Sequence, residues 1–422
     1  MASHPVRWFL KRPLWSILIG LALSVAGVNL WAWYNYREAG RLLDRCRFSQ
    51  AYGHYTQALW VWRWSASLHF HAARAARRAG RYPEAEHHLA EYQRLQGETA
   101  ETALPLALER LLLQAQSGDI TQVEEPLWQY VEKNRPETPL VLEALARGYI
   151  RVFRLRAAMN CLNKILEREP DNAEALTMAG KTIEKGYGEV ADAIKSYRRA
   201  LEIDPERDDA RLSVAQLLLH DHAEVARKHF EYVLARQPDN REAMLGLGQA
   251  HLMLGETGKA RALLEEVLAR EPDNSRALTE LGQIARLEGK MTEAESLFRK
   301  AVAADPANRY AHERLYRCLA QQPDKQEEAA EEIAVKERVE ADLARLGAIV
   351  SKEMSRTPND PKLHYEIGSF YLRYGKPAIG IRWLYSALKL DPNHQPSHQE
   401  LYKYFQRTGD WEKAERHRSQ IR

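Results

Sequence analysis

The stretch REAMLGLGQAHLMLGETGKARALLEEVLAREPDN, residues 241–274, carries the pattern that determines the fold of this chain. Apolar residues recur at helical spacing over its first half and again from Ala260 to Leu268. Gly255 lies between the two halves, where glycine enters a left-handed turn at little cost. Pro272 ends the second half, because proline donates no backbone N–H and disfavours helix in the residue before it. The stretch therefore predicts two helices joined by a tight turn.

The same pattern recurs along the chain at a nearly constant period. Five prolines end successive copies and lie 35, 33, 34 and 34 residues apart: Pro170, Pro205, Pro238, Pro272 and Pro306. A period of this length indicates an array of helical hairpins, in which each hairpin buries its apolar face only against its neighbours. The fold class predicted from the pattern is therefore all-α.

These residues resemble the tetratricopeptide-repeat (TPR) family, whose 34-residue helix–turn–helix unit carries small residues in both helices and a closing proline. The small residues are Ala146, Gly180, Ala215, Gly248, Gly282 and Gly368 in first helices, and Ala158, Ala193, Ala226, Ala260 and Ala294 in second helices. Small side chains let paired helices approach closely. The resemblance implies a TPR superhelical solenoid over most of residues 36–422, and Gly380 departs from it where alanine is expected.

The period and its interruptions divide the chain into six segments. They are a basic tail (1–13), a transmembrane anchor (14–34), degenerate TPR units (36–139), well-formed units (140–308), a divergent unit with an inserted long helix (309–360), and C-terminal units with a cap (361–422). The insertion is indicated because Pro306 and Pro358 lie 52 residues apart, which is one repeat plus 18 residues. We expect a helix of roughly thirty residues there, between Lys325 and Ser355.

The anchor is the apolar segment from Leu14 to Tyr34, LWSILIGLALSVAGVNLWAWY, which contains no charged residue. As a helix it spans about 31 Å, the thickness of a hydrocarbon core. The alternative is a secretory signal peptide cleaved after Ala26, since small residues precede that position. Apolar sequence continues well past Ala26, so we favour a retained single-pass anchor.

Basic residues flank the anchor on both sides. Those before it, Arg7, Lys11 and Arg12, favour a cytoplasmic N-terminus, whereas Arg37, Arg41, Arg45 and Arg47 favour the opposite orientation. Folded domains are translocated largely regardless of charge. We therefore favour repeats outside the cytoplasm, on a bacterial inner membrane, and the opposite sidedness stays open.

Arginine and tryptophan are concentrated just after the anchor. Nine arginines lie between Asn35 and Arg81, and they form either a solvated helical face or a surface attracted to anionic headgroups or an acidic partner. Trp60, Trp62 and Trp64 alternate at a period of two, which no single helix face buries. We expect at least one of them to face a partner or the lipid surface.

Composition and motifs argue against several functions. The 61 basic and 58 acidic residues give a net charge of only +3, so nucleic acid is not expected as the main partner. The three cysteines, Cys46, Cys161 and Cys318, are widely separated and indicate neither a disulfide framework nor a thiolate zinc cluster. Phosphate-binding loops and common hydrolase motifs are missing from the sequence. We therefore predict no catalytic site and no cofactor.

Histidine-bearing turns provide the alternative function, an accessory subunit of an enzyme or a metal-binding protein. Three groups each offer two ligands: His220-Asp221-His222, His87-His88, and His394 with His398. A closed metal site needs a third or fourth ligand, and the sequence places none beside these groups. We therefore favour ordinary structural roles for these histidines.

Protein binding is the function that the TPR resemblance implies, through the groove lined by the first helices. The candidate partner-binding residues are Glu143, Arg147, Lys181, Gln216, Gln249, Gln283 and Arg286. The family's chaperone adaptors bind a terminal carboxylate with Asn and Lys, and this chain has Gln or Arg in place of that Asn. We therefore expect an extended or helical protein segment rather than a chaperone C-terminus.

The predicted function is a non-catalytic protein–protein interaction scaffold at a membrane, in envelope assembly or secretion. The chain is also similar to bacterial membrane-anchored TPR regulators of envelope biogenesis. Some of these end in a cysteine-rich metal module, which residues 411–422 lack. The sequence leaves the partner, the pathway and the oligomeric state open.

Overall fold

The computed structural model describes residues 11–97, 100–118 and 120–421. Most of the predicted basic tail, including Arg7, lies outside the described residues. Over the described ranges the chain consists of helices and short connections, without a β-strand. The all-α array of helical hairpins predicted from the sequence is confirmed.

The helices form two compact units, residues 1–152 and 153–422. Unit 1 contains α1 (Lys11–Asp44), α2 (Phe48–Leu59), α3 (Ala66–Arg78), α4 (Tyr82–Gln96), α5 (Ala100–Ser117), α6 (Ile120–Glu132) and α7 (Thr138–Arg151). Unit 2 contains α8 (Leu155–Arg168), α9 (Ala173–Thr182), α10 (Val190–Ile203), α11 (Asp208–Leu218), α12 (Ala223–Arg236), α13 (Arg241–Met253), α14 (Thr257–Arg270), α15 (Ser275–Leu287), α16 (Met291–Ala304), α17 (Arg309–Ala320), α18 (Gln326–Ala348), α19 (Met354–Arg356), α20 (Pro361–Arg373), α21 (Pro377–Leu390), α22 (Gln395–Thr408) and α23 (Trp411–Arg418).

The turns between repeats explain the recurrent Pro-Asp-Asn sequence. The proline ends one hairpin, and the asparagine two residues later begins the next as an N-cap. Asn240 Oδ1 accepts a hydrogen bond from the Ala243 backbone N–H at 3.0 Å, and Asn274 does the same with Ala277 at 3.0 Å. Such a cap contributes about 1 kcal/mol. Inside each hairpin, a glycine such as Gly255, with φ of 79°, makes the turn at low conformational cost.

Close helix packing explains the small residues of the first helices. A Cβ atom on Gly282 would lie 2.6 Å from Cε1 of Phe298, a side chain that is fully buried in the partner helix α16. A Cβ on Gly180 would likewise lie 2.7 Å from Cε1 of Tyr197. The aromatic ring of one helix therefore occupies the space that the missing Cβ leaves on the other.

A long helical segment in unit 2 brings distant repeats together. Helix α18 continues without a break through a π-helical stretch, Ile349–Glu353, into α19. This stretch contacts a second π-helical stretch, Ile183–Tyr187, and α19 contacts α8. The rings of Phe153 and Trp383 stack nearby, with centroids 5.7 Å apart and planes 7° from parallel. The row of hairpins in unit 2 is therefore closed by contacts between its first and later helices.

Helix α1 combines an exposed apolar half with a half that packs on the repeats. Leu21 and Leu23 are 63% and 68% exposed, whereas Ala32 and Ala39 are fully buried. The helix extends ten residues beyond the predicted anchor, to Asp44, and its C-terminal half packs against α2 as the first helix of a hairpin. Among the described helices α1 has the length and composition to cross a membrane, as a cleaved signal sequence also would.

Candidate partner-binding groove

Polar side chains on successive first helices of unit 2 form three hydrogen-bonded groups. These helices contact one another in sequence, α11 with α13, α13 with α15 and α15 with α17. We use the name polar row for Lys181, Asp209, Gln216, Gln249, Arg276, Glu280, Gln283, Arg286 and Arg314. Five members of the row, Lys181, Gln216, Gln249, Gln283 and Arg286, are predicted partner-binding residues.

Arg276 lies at the centre of the polar row and links three helices. Its guanidinium donates hydrogen bonds to Gln216 Oε1 on α11 and to Gln249 Oε1 on α13, each at 3.2 Å. Gln249 in turn donates from Nε2 to Glu280 Oε1 on α15 at 2.9 Å. Arg276 itself is exposed, so this link lies on an accessible face.

Two arginines converge on Gln283 in the next part of the row. Gln283 Oε1 accepts from Arg314 of α17 at 2.7 Å and from Arg286 of its own helix at 3.2 Å. Burial lowers the pKa of the Arg314 guanidinium, and the neighbouring Arg286 cation lowers it further. An anionic group of a bound segment would relieve this accumulation of positive charge.

At the other end of the row, Lys181 of α9 forms an ion pair with Asp209 of α11. Lys181 Nζ lies 3.0 Å from Asp209 Oδ2. Burial alone would raise the pKa of Asp209, but the Lys181 ammonium and the Arg207 guanidinium lower it. The carboxylate therefore stays ionised, and each partner keeps about two-fifths of its side chain exposed (42% and 43%).

Glu143 and Arg147, the two remaining predicted residues, lie on α7 in unit 1. Glu143 is 7% exposed and accepts from Arg78 at 2.5 Å and from Arg147 at 3.0 Å. Burial would raise the pKa of Glu143, but the two guanidinium groups lower it to about 2. This carboxylate therefore holds α3 to α7 within unit 1, and it is already fully engaged by arginine.

Four members of the polar row are not among the residues predicted from the sequence: Asp209, Arg276, Glu280 and Arg314. A signal for two of them exists, because Asp209 and Arg276 each lie seven residues before a predicted glutamine, Gln216 and Gln283. Seven residues are two helical turns, so the side chains share one face. Arg276 also lines a polar cavity of about 470 Å³ at the start of α13 and α15, together with Glu242 and Glu271.

The histidines of the candidate ligand groups make contacts outside those groups. His88 pairs with His69 rather than acting with His87, and the two Nδ1 atoms lie 3.0 Å apart. His398 pairs with His417 in the same way, also at 3.0 Å, while His394 caps α22 through Ser397. Burial lowers the pKa of His88 and of His417 to about 4. Within the described part of the chain, no group of three or more His, Cys, Asp or Glu side chains is arranged to hold a metal ion.

Stacked helical hairpins with a polar row along their first helices define an α-helical repeat protein. Family models of the tetratricopeptide repeat match residues 143–208, 220–284 and 275–308. The chain thus contains tetratricopeptide repeats over residues 143–208 and 220–308. Repeats of this family generally serve as non-catalytic protein–protein interaction scaffolds.

Several solved structures are similar to this chain. PilW, a widely conserved type IV pilus biogenesis factor, is 21% identical with a TM-score of 0.40, over 50% of this chain and 93% of PilW. MamA is 23% identical with a TM-score of 0.35, over 40% of this chain and 93% of MamA. The human IFIT1 dimer with m7Gppp-AAAA is 18% identical with a TM-score of 0.42, over 82% of each chain.

Proposed function

We propose that this protein is a non-catalytic scaffold, anchored in a membrane by α1, that binds extended or helical protein segments along the polar row of unit 2. The observation that carries the proposal is Arg276, which links three successive first helices on an exposed face. Gln216 and Gln249 are held by Arg276, and Gln249 also by Glu280, before any segment arrives. Preorganised groups lose less conformational entropy on binding.

The chemistry of the row specifies the kind of segment. Carboxylates, amides and guanidinium groups alternate along it, so it offers both donors and acceptors to a peptide backbone and to side chains of either charge. The arginines around Gln283 favour an acidic side chain at that point, because the pKa of Arg314 is already lowered by burial. A partner segment of mixed charge with an acidic residue fits best.

Membrane anchoring is supported by the exposed apolar surface of α1. Transfer of one exposed leucine side chain out of water contributes about 1.5–3 kcal/mol, and exposed leucines recur from Leu18 to Leu30. A helix with this surface is favourably placed only in lipid or against another apolar surface. We propose a retained anchor with the repeats outside the cytoplasm, in a bacterial envelope role such as assembly or secretion.

Site-specific photo-crosslinking in the full-length protein tests the binding surface. A photoreactive residue at Gln249 should crosslink a bound chain, whereas the same residue at Glu266, exposed on the second helix α14, should not. The crosslinked segment is then synthesised and titrated calorimetrically into wild-type protein and Arg276→Glu. We expect affinity at least about tenfold weaker in the variant, since about 1.4 kcal/mol corresponds to that factor. Equal crosslinking at both positions would overturn the proposal.

A further inference from the structure

The connection between α2 and α3, residues 60–65, exposes two large aromatic side chains. We call it the tryptophan turn. Trp60 is 87% exposed and Trp64 is 63% exposed. Arg63 between them is also exposed, and its guanidinium carbon lies 4.6 Å from the centroid of the Trp64 ring. Two exposed indole rings within one short turn provide apolar surface, and exposed apolar patches mark protein or membrane interaction sites.

Trp62, the third tryptophan, fixes the position of the tryptophan turn along the axis of α1. Trp62 donates from Nε1 to Asn29 Oδ1 at 2.9 Å. Six residues further along α1, His54 Nδ1 lies 2.8 Å from Asn35 Oδ1. Asn29 belongs to the predicted span of residues 14–34, five residues before its end. The tryptophan turn therefore lies beside the apolar segment, about 7 Å inside its C-terminal limit.

Helix length decides whether this turn can stay out of the bilayer. Residues 14–28 precede the Asn29 contact and span about 22 Å as a helix, whereas a hydrocarbon core is about 30 Å thick. If the hydrocarbon core ended before the Asn29 contact, the core would thus be some 8 Å thicker than the helical segment available to cross it. If the boundary lies near Tyr34 instead, the length of the apolar segment matches the thickness of the core, and the turn lies at the edge of the bilayer.

The residues of the turn suit that edge. Tryptophan is enriched at the membrane–water boundary because its ring is apolar and its N–H is polar. Arginine extends its charged head towards the phosphates while its stem stays in apolar surroundings. On α1 the same pairing recurs, since the Arg37 guanidinium carbon lies 5.4 Å from the centroid of the exposed Trp33 ring. Two neighbouring elements thus present Trp and Arg near the C-terminal end of the apolar span.

We propose that the tryptophan turn is a second membrane contact, seated beside α1 at the boundary between the hydrocarbon core and the lipid headgroups. The proposal rests on membrane anchoring by α1. It makes the first hairpins of unit 1 part of the membrane attachment, and it fixes their rotation about α1. The occupant is the bilayer surface, with an added preference for anionic lipid from Arg63 and Arg37.

Lipid-quenched fluorescence of full-length protein in vesicles tests the contact. Each variant has one accessible cysteine: Trp60→Cys, Trp64→Cys, Gln50→Cys or Leu23→Cys, which carries an environment-sensitive dye. The background is Cys46→Ser, in which Cys161 and Cys318 stay buried. The vesicles are phosphatidylcholine with one-fifth phosphatidylglycerol, and they carry bromine near the headgroup end of the acyl chains, bromine near the middle of the bilayer, or no bromine. Gln50 is exposed on α2, the helix that leads to Trp60, about 15 Å from Trp60 along the axis, and is the matched control.

The expected result is blue-shifted emission and bromine quenching at positions 60 and 64, with at least a twofold larger loss of intensity than at position 50. Quenching at position 23 without quenching at 60 and 64 overturns this proposal and leaves the anchor standing. If none of the four positions is quenched, the anchor is overturned as well. Dyes at 60 and 64 that are shielded from water but insensitive to bromine indicate a protein contact, which also refutes lipid seating.

Discussion

Substitution of Gly282 by alanine tests the packing that builds each repeat. A Cβ at this position would lie 2.6 Å from Cε1 and 2.8 Å from Cδ1 of Phe298, whereas carbon atoms pack best at about 3.5–4.0 Å. Phe298 is fully buried, so its ring moves only by displacing other core side chains. Gly282→Ala should therefore destabilise unit 2, even though alanine is the better helix former.

The magnitude follows from two opposing effects. Overpacking a core costs about 1–3 kcal/mol, and replacing glycine inside a helix contributes about 0.5–1 kcal/mol of stability. We expect a net loss of about 1–2 kcal/mol for Gly282→Ala. Gly347 in α18 is the matched control, because a Cβ there would meet no described atom within 4 Å. Gly347→Ala should stabilise the protein by about 0.5–1 kcal/mol.

Urea unfolding followed by circular dichroism measures both variants. Because an array of repeats need not unfold in one step, hydrogen exchange of α15 and α16 supplies a local measurement. Faster exchange in these helices is expected for Gly282→Ala and slower or unchanged exchange for Gly347→Ala. Stabilisation by both substitutions would refute the packing explanation and leave helix propensity as the only effect of these glycines.

Three further predictions concern acid stability and the closure of unit 2. Burial, with His398 beside it, lowers the pKa of His417 to about 4. Between pH 6.5 and 4 only the unfolded chain gains this proton, so the stability of the protein falls over that range. His417→Gln should make the fall less steep, whereas substitution of the exposed His220 by Gln should not. Burial alone would raise the pKa of Glu295, but hydrogen bonds from Lys325 and its neighbours lower it to about 2. The stabilisation from the ionised Glu295 is therefore present above pH 4.5 and disappears towards pH 2. Glu295→Gln should cost about 2 kcal/mol at pH 7 and weaken the acid dependence of stability in urea titrations. Trp383→Ala should cost about 3–5 kcal/mol and speed hydrogen exchange in both α8 and α21, whereas exchange in α21 alone would contradict the stacking of Trp383 on Phe153.

The repeat architecture was predictable because its signals are local. A proline that ends a helix, a glycine at positive φ and a small residue in each helix act within one hairpin, and they recur at fixed spacing. Pro272 and Gly255 thus locate the helix boundaries directly. The asparagine caps, such as Asn240, follow from the same turn chemistry and were within reach of the sequence.

Contacts between repeats were not predictable in the same way. The partners of Arg276 lie 27 and 60 residues away, and which arginine reaches which glutamine depends on how neighbouring helices are rotated. Trp383 and Phe153 are separated by more than two hundred residues, and no periodic pattern relates them. The two histidine pairs are different, because His69–His88 and His398–His417 share a separation of 19 residues that a comparison of hairpins would reveal.

The contact between the two π-helical stretches of unit 2 limits how this protein can change over evolutionary time. Open repeat arrays gain or lose whole hairpins readily, since each new hairpin needs only two compatible neighbours. Between Ile183–Tyr187 and Ile349–Glu353, an added or deleted hairpin would shift one stretch past the other by the width of a repeat and separate Phe153 from Trp383. The number of hairpins in this interval is therefore fixed by geometry, whereas the hairpin α22–α23, which follows α21, lies outside this constraint.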